Sequence, residues 1–302
     1  MTMPDITRPR LTLGPLLYYW PRDRVHEFYE QAADSPVDTV HLGEAVCGKR
    51  HEVRFEDWLA IGRKLADRGK EVVLSTCELI ESEADLRVMR RVTGNGLFMV
   101  EANDLGAVNL LAGKGDFVAG PYLNMYSRLS MDFYRRQGAV RWVAPIELGA
   151  GGIGEILRDY AEEIETEVFT YGRIPLAISA RCFTARYNNE SKDECGFRCI
   201  EHADGMLLST QDDQPFLTLN GLQTQSAQVH NLADSIEQLR ALGIDRLRIS
   251  PQSAGTFDVI RLFDEEASGA LDGDEALKRM QQWAPSGHCN GYWHGRPGLE
   301  MH

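Results

Sequence analysis

No run of apolar residues in this 302-residue chain approaches the roughly 18 that a membrane span requires. Positive charge is also short: 32 Lys and Arg face 45 Asp and Glu, a formal net charge of -13. Phosphate binding depends on clustered cations that release counterions, so this balance counts against a nucleic-acid partner. The opening MTMPDITRPRLTLGPL lacks the apolar stretch of a secretory signal. The expectation is a cytoplasmic protein with no membrane span. Cysteine is sparse, six in all, too few for a small disulfide-stapled scaffold. Internal repeats and low-complexity tracts are missing as well.

What is present suits a globular core: 43% apolar and 25% charged side chains. Short apolar or β-branched runs alternate with segments of helical spacing as far as about residue 268. The strand candidates are Leu11 to Tyr19, Val37 to Leu42, Glu71 to Thr76, Leu97 to Glu101, Asp116 to Ala119, Val140 to Val143, Glu165 to Thr170 and Arg246 to Ser250. Pro21 opens the first helix, whose Val25, Phe28, Tyr29 and Ala32 fall on one face. Eight strands in βα alternation predict an α/β fold of the (β/α)8 TIM-barrel type rather than an open doubly wound sheet. The chain reads as a single barrel-like domain over 1–302. A cysteine-containing insertion occupies 171–245 between strands seven and eight, with possible short strands Met206 to Ser209 and Phe216 to Leu219, and an irregular tail covers 269–302.

Cys182, Cys195 and Cys199 follow C-x12-C-x3-C within the insertion, and Cys47 lies five residues past the second strand. Loops that follow barrel strands gather at one rim, so Cys47 can meet the trio there. Four thiolates suit tetrahedral zinc or an iron-sulfur cluster. Structural zinc sites usually present two close pairs, whereas here Cys195 and Cys199 alone are close, which leans toward iron-sulfur. Lys49, Arg50, Arg181, Arg186, Lys192 and Arg198 surround these thiols; positive charge lowers thiolate pKa and offsets cluster charge, although loop cations are often simply solvated. Cys77 reads as core packing, and Cys289 as a packed or free thiol.

Other signals are weaker. Gly149, Gly151 and Gly154 form a GxGxxG, but after the sixth strand of a barrel it reads as a helix start rather than a dinucleotide site. Glu101 and Glu147, at strand ends, are the candidate catalytic acids or bases, against structural pairing with Arg. Tyr18, Tyr19 and Trp20 could line a pocket for an aromatic substrate, against core packing. Asn124 and Tyr126 could bond a small polar ligand.

The stretch EVFTYGRIPLAISARCFTAR, residues 167–186, resembles the signature region of the collagenase-like peptidase family. Glu167, Phe169, Gly172, Ala180 and Cys182 fit the frame, and Pro175 stands where the family has its first cysteine. LGEAVCGKR, SARCFTAR, KDEC, VLSTCEL, EANDLGAVN, LNGLQT, RISPQ and CNGYW extend the likeness to a branch serving oxygen-independent ubiquinone synthesis. That resemblance implies a 4Fe-4S cluster on Cys47, Cys182, Cys195 and Cys199, with Cys47 replacing the ligand lost at Pro175. It implies hydroxylation of a prenylated aromatic ring, with prephenate as oxygen donor. Its expected partners are a UbiU-like protein in a heterodimer and a lipid-carrier protein presenting the precursor. Arg181, Arg186, Lys49 and Asn124 are then the candidate substrate contacts, the cations for a dicarboxylate. Peptidase activity gains no nucleophile-base motif. The alternatives are an RNA base hydroxylase, which the acidity disfavours, and a non-catalytic electron-transfer or scaffold subunit.

Overall fold

The computed structural model describes residues 8–160 and 163–302. Its strands are β1 (Arg10–Leu13), β2 (Thr39–Leu42), β3 (Glu71–Ser75), β4 (Met99–Ala102), β5 (Phe117–Ala119), β6 (Ala139–Val143), β7 (Glu165–Ile178), β8 (Met206–Ser209), β9 (Pro215–Asn220), β10 (Gln223–Asn231), β11 (Arg246–Ile249) and β12 (His288–Cys289). The helices are α1 (Arg22–Asp34), α2 (Phe55–Asp67), α3 (Glu83–Thr93), α4 (Leu105–Leu111), α5 (Arg128–Arg136), α6 (Ala150–Leu157), α7 (Phe183–Tyr187), α8 (Ile236–Ala241), α9 (Thr256–Ala267) and α10 (Gly273–Met280). Strands β1 to β7 pair in parallel in chain order, and β11 pairs with both β1 and β7. The eight parallel strands therefore close into the expected barrel.

Strand alternation explains the two sides of the barrel wall. Leu11, Leu13, Val40, Leu42, Val72, Leu74, Val100 and Leu247 join the helices in one large core. Each such side chain contributes about 1.5–3 kcal/mol when fully buried. Their neighbours point inward, and many are charged. At one level Arg141 bonds Glu71 at 2.9 Å and Glu165 at 2.8 Å, and Arg246 bonds Glu165 at 2.9 Å. Two residues further along the strands, Arg248 donates to Glu101 at 2.6 Å and to Glu167 at 2.5 Å. A small apolar plug of Val73, Val118, Val143 and Met99 lies with them. Buried charge is tolerated because each of these guanidinium groups meets carboxylates.

Three expectations need correction. The first run, read as Leu11 to Tyr19, is a strand only as far as Leu13, because Gly14 and Pro15 end it. Leu16 to Trp20 then cross the mouth as a buried segment. The seventh strand, expected to stop at Thr170, continues to Ile178, leaves the barrel and pairs antiparallel with β10. Gly172, at φ +136°, permits the departure, and Pro175 sits opposite Gln225 at a register shift, where no regular ladder donor is required. With β9 and β8 this makes a four-stranded annex inside the segment read as an insertion. The tail read as irregular holds α10, capped by Asp272, and β12 beside β10.

Candidate functional site at the barrel mouth

Each cysteine of the expected set sits on a loop or turn that the barrel and its annex hold in place. Cys47 follows β2, and the Glu44 carboxylate accepts from the backbone N–H groups of Val46 and Cys47, both at 3.1 Å. Cys182 caps α7, its Sγ accepting from Ala185 N at 3.4 Å. Between Cys195 and Cys199 the chain turns through two consecutive left-handed residues, Gly196 at φ +55° and Phe197 at φ +54°. That conformation costs a non-glycine residue roughly 1–2 kcal/mol. Phe197 offsets it by packing its ring 5.9 Å from Tyr19 and 4.7 Å from His51.

Arg50 ties these loops together. It is 6% exposed, and its Nη groups reach Leu17 O at 2.8 Å, Asn220 Oδ1 at 2.8 Å and Glu44 Oε1 at 3.2 Å. Its Nε has no hydrogen-bond partner among the described residues. The guanidinium also lies close enough to the Cys199 and Cys47 sulfurs for each to favour its charge. Burial pushes the Cys47 thiol up to about 11, with Arg50 opposing and Cys199 adding to the rise. Burial raises Cys199 too, and the neighbouring Cys182 raises it further. Lys49 bridges to the remaining thiol: it pairs with Asp193 and donates to Lys192 O at 3.1 Å, within the field of both Cys47 and Cys195. Lys192 in turn holds Ala180 O at 2.8 Å and pairs with Glu81. Thus all four thiols share one neighbourhood around two cations. Among the described residues, no three His, Cys, Asp or Glu side chains are drawn together as ligands of one metal ion.

Behind Cys47 the barrel mouth opens. Cys47 packs with Leu17, Ala45 and Val46, and Leu17 and Ala45 are also wall of a cavity of about 330 Å3. Pro15, Pro121, Pro145 and Pro175 line it together with Phe169. Its polar lining is Glu78, Glu101, Asn103, Tyr122, Asn124, Glu147, Arg248 and Ser250. Burial pushes the Glu78 carboxyl up to about 8, although Tyr122 and Gln223 hydrogen-bond it, Gln223 Nε2 lying 3.2 Å from both oxygens. A chain of amides stands behind Gln223: its Oε1 accepts from Gln225 at 2.7 Å, and Gln225 accepts from Tyr18 OH at 3.0 Å.

The sequence-derived site residues scatter differently. Glu101 lies on the cavity floor, bound by Arg248, Ser75 at 2.6 Å and His41 at 3.4 Å. Burial opposes its ionisation, but Arg248 and His41 hold it well below the usual carboxylate range. Glu147 is at the exposed rim, where Tyr126 bonds it. Asn124, at φ +55°, lines the same rim. Lys49, Arg181 and Arg186 lie outside the cavity lining; Arg181 and Arg186 are exposed beside Cys182. Tyr18, Tyr19 and Trp20 are buried in the crossing segment. Cys77 lies near Glu44, Glu78 and Cys47, its thiol raised by burial, and Cys289 is fully buried in β12. Sequence reading missed Glu78, Tyr122 and Gln223. The run CELIES looks like a solvated acidic loop, and its burial depends on the annex.

Gly149 to Gly154 proves structural. A Cβ at Gly149 would lie 2.4 Å from Tyr292 O, and Ala150 N donates to Trp293 O at 2.9 Å. The helix N-terminus is thus covered by the tail.

Barrel and site together define a (β/α)8 protein with a cysteine-bearing annex folded over the C-terminal ends of its strands. The chain belongs to peptidase family U32, whose pattern matches residues 23–302. A U32 peptidase of known structure shares 14% identity over 81% of this chain and 93% of its own, with a TM-score of 0.45. Dihydropteroate synthase from Thermus thermophilus shares 13% over 88% and 94%, at 0.41. N-acetylneuraminate lyase from Fusobacterium nucleatum shares 11% over 90% and 79%, at 0.37. Likenesses this distant carry no argument about activity. No helix among the described residues is long and apolar enough to cross a membrane.

Proposed function

We propose that this chain is the iron-sulfur subunit of an oxygen-independent hydroxylase and acts in the manner of UbiV. With a UbiU-like partner it would hydroxylate a prenylated aromatic ring in ubiquinone synthesis, prephenate serving as oxygen donor. The observation that supports this reading is the gathering of Cys47, Cys182, Cys195 and Cys199 around Arg50 and Lys49.

These residues suit a 4Fe-4S cluster on chemical grounds. A cube of iron and sulfide holds its thiolates farther apart than a single ion does, and four cysteines are its usual complement. Burial raises the Cys47 and Cys199 thiols, so iron would displace protons there, which couples loading to pH. The buried Arg50 guanidinium, its Nε without a hydrogen-bond partner among the described residues, would supply positive charge beside such a cluster. A bound cluster supplies one-electron chemistry. Arg50 and Lys49 hold the Cys47 loop against the annex, and the apolar wall of Leu17 and Ala45 packs against Cys47 on the cavity side.

Purification without oxygen, followed by iron and sulfide analysis and electron paramagnetic resonance, tests the ligand set. About four iron and four sulfide per chain are expected. Serine at any of the four positions should lower that content, while Cys77→Ser and Cys289→Ser should not. Colourless, iron-poor protein from such a preparation would end the proposal. The pathway assignment is tested separately: cells lacking the gene should make no ubiquinone without oxygen and normal ubiquinone with it.

A further inference from the structure

The cavity at the mouth has a charge balance that restricts what can enter. Its lining includes three carboxylates, Glu78, Glu101 and Glu147, and one guanidinium, Arg248. Arg248 is already committed, at 2.6 Å to Glu101 and 2.5 Å to Glu167. Glu147 stands at the rim, where it bonds the Tyr126 hydroxyl and has no ion-pair partner among the described residues. Burial raises Glu78, which weakens its tendency to carry charge, and the group supplies no positive charge in either form. An anion entering this space would meet Glu147 first and the Glu101 and Glu167 pair below, with no uncommitted cation in the lining among the described residues. Like charges brought together in a partly dry site repel by several kcal/mol at an effective dielectric near 20.

The remaining groups favour an uncharged guest. Asn103 is 2% exposed, lines the cavity, and its Oδ1 has no hydrogen-bond partner among the described residues. Such an oxygen invites a donor. Tyr122 and Glu78, both on the cavity wall and bonded from behind by Gln223, offer a donor and an acceptor on one side. Phe169 and four prolines make the remaining wall apolar. Proline backbones are already restricted, so little order is lost when a flat guest packs on them. A volume of about 330 Å3 lies at the small end of ligand pockets and suits one substituted ring.

We infer that this cavity binds an uncharged, ring-sized ligand carrying a hydrogen-bond donor, held by Asn103, Tyr122 and Glu78, and that it excludes carboxylate ligands of the same shape. An anionic oxygen donor would then be received elsewhere on the assembly. The inference goes beyond the cluster assignment and does not require it.

The test uses two probes of one shape, 4-hydroxybenzamide and 4-hydroxybenzoate, titrated calorimetrically into the full chain at pH 7. The amide should bind, and the benzoate at least tenfold more weakly. Glu147→Lys should shrink that ratio below threefold. Ala177→Trp, from an exposed position in the lining, should weaken amide binding at least tenfold at unchanged melting temperature; Ile146→Trp, on another wall, is the second blocker should the first not fold. Equal or tighter benzoate binding, no amide binding at millimolar concentration, or amide binding that survives both blockers each overturns the inference. Iron-free protein that still discriminates the probes keeps this inference while removing the cluster, and iron-loaded protein that does not discriminate does the reverse.

Discussion

Arg50 and Asn220, 170 positions apart, meet at 2.8 Å, and both also bond the carbonyl of Leu17. One guanidinium therefore joins the Cys47 loop, the segment crossing the mouth and the annex that carries the other candidate thiols. Gly221 follows Asn220 at φ +64°, and a Cβ there would stand 3.1 Å from the Arg50 guanidinium. The turn between β9 and β10 thus brings the annex against Arg50 without a side chain between them.

Replacing Arg50 should accordingly act on stability and on the thiols together. Arg50→Met leaves Glu44 and Asn220 without their buried partner, a loss of about 3 kcal/mol. Arg50→Lys should recover only part of it, since an ammonium cannot span Leu17, Glu44 and Asn220 in one plane. Urea denaturation measures the loss, and Cys47, deprived of the guanidinium that opposes its rise, should be alkylated at a changed rate in the metal-free chain, faster where loop opening outweighs the lost thiolate fraction. Unchanged alkylation in a destabilised variant would contradict the bridging role.

The barrel was legible because its inward and outward residues alternate, as in Thr39, Val40, His41 and Leu42, and because helices separate the strands. The annex was not. QTQSAQVHN reads as a polar loop, yet β10 buries Gln223 and Gln225 because each amide bonds another buried polar group, Gln223 to Glu78 and Gln225 to Gln223. Pro175 and Gly172 likewise argue against a continuing strand, and the register shift that accommodates them depends on β10. The thiols could be singled out, since a cysteine is chemically conspicuous wherever it falls. Glu78 could not, because its character comes from burial by partners 145 residues away.

Two buried carboxyls set the pH dependence on the alkaline side. Burial raises Glu78 and Glu266 each to about 8, well above an unfolded carboxyl. Protons held by the folded state are released on unfolding, so stability from these groups is full below the unfolded value and lost as pH rises through about 8. His230, lowered to about 4 by burial, acts oppositely, its contribution being lost as pH falls from about 6.5 through 4. Stability should therefore decline between pH 6.5 and 8.5. Glu266→Gln, outside the cavity lining, should flatten that decline in denaturation curves; an unchanged slope would show that Glu266 does not titrate there.

Inside the barrel, Glu101 and Arg248 form a unit whose parts are separable only at a cost. Arg248→Met strands Glu101 and Glu167 in the interior, with an expected loss of about 3–5 kcal/mol. Glu101→Gln alone leaves Arg248 its contact with Glu167 and should cost less. The double variant should cost less than the two singles added together, because a carboxylate stranded by one change is removed by the other. A double-mutant cycle by chemical denaturation reads this; strict additivity would mean the two side chains do not share one interaction. Such coupling assigns Glu101 to holding the cavity floor.

Gly149 and Gly151 should respond oppositely to the same methyl group. At Gly149 a Cβ would press on two backbone carbonyl regions of the tail, 2.4 Å from Tyr292 O and 3.0 Å from Trp293 O, and backbone cannot swing aside as a side-chain end can. Gly149→Ala should thus lift the tail from α6, costing about 1–3 kcal/mol. Trp293, 3% exposed and bonded through its indole N–H to Gln238 at 2.7 Å, would report this by a red-shifted emission. At Gly151, within α6, no atom lies within 4 Å of the added carbon. Gly151→Ala should stabilise the helix by about 0.5–1 kcal/mol through lost unfolded-state freedom, leaving Trp293 emission unchanged. If both substitutions were neutral, the tail would not be seated on α6, and the glycine motif would need a different explanation.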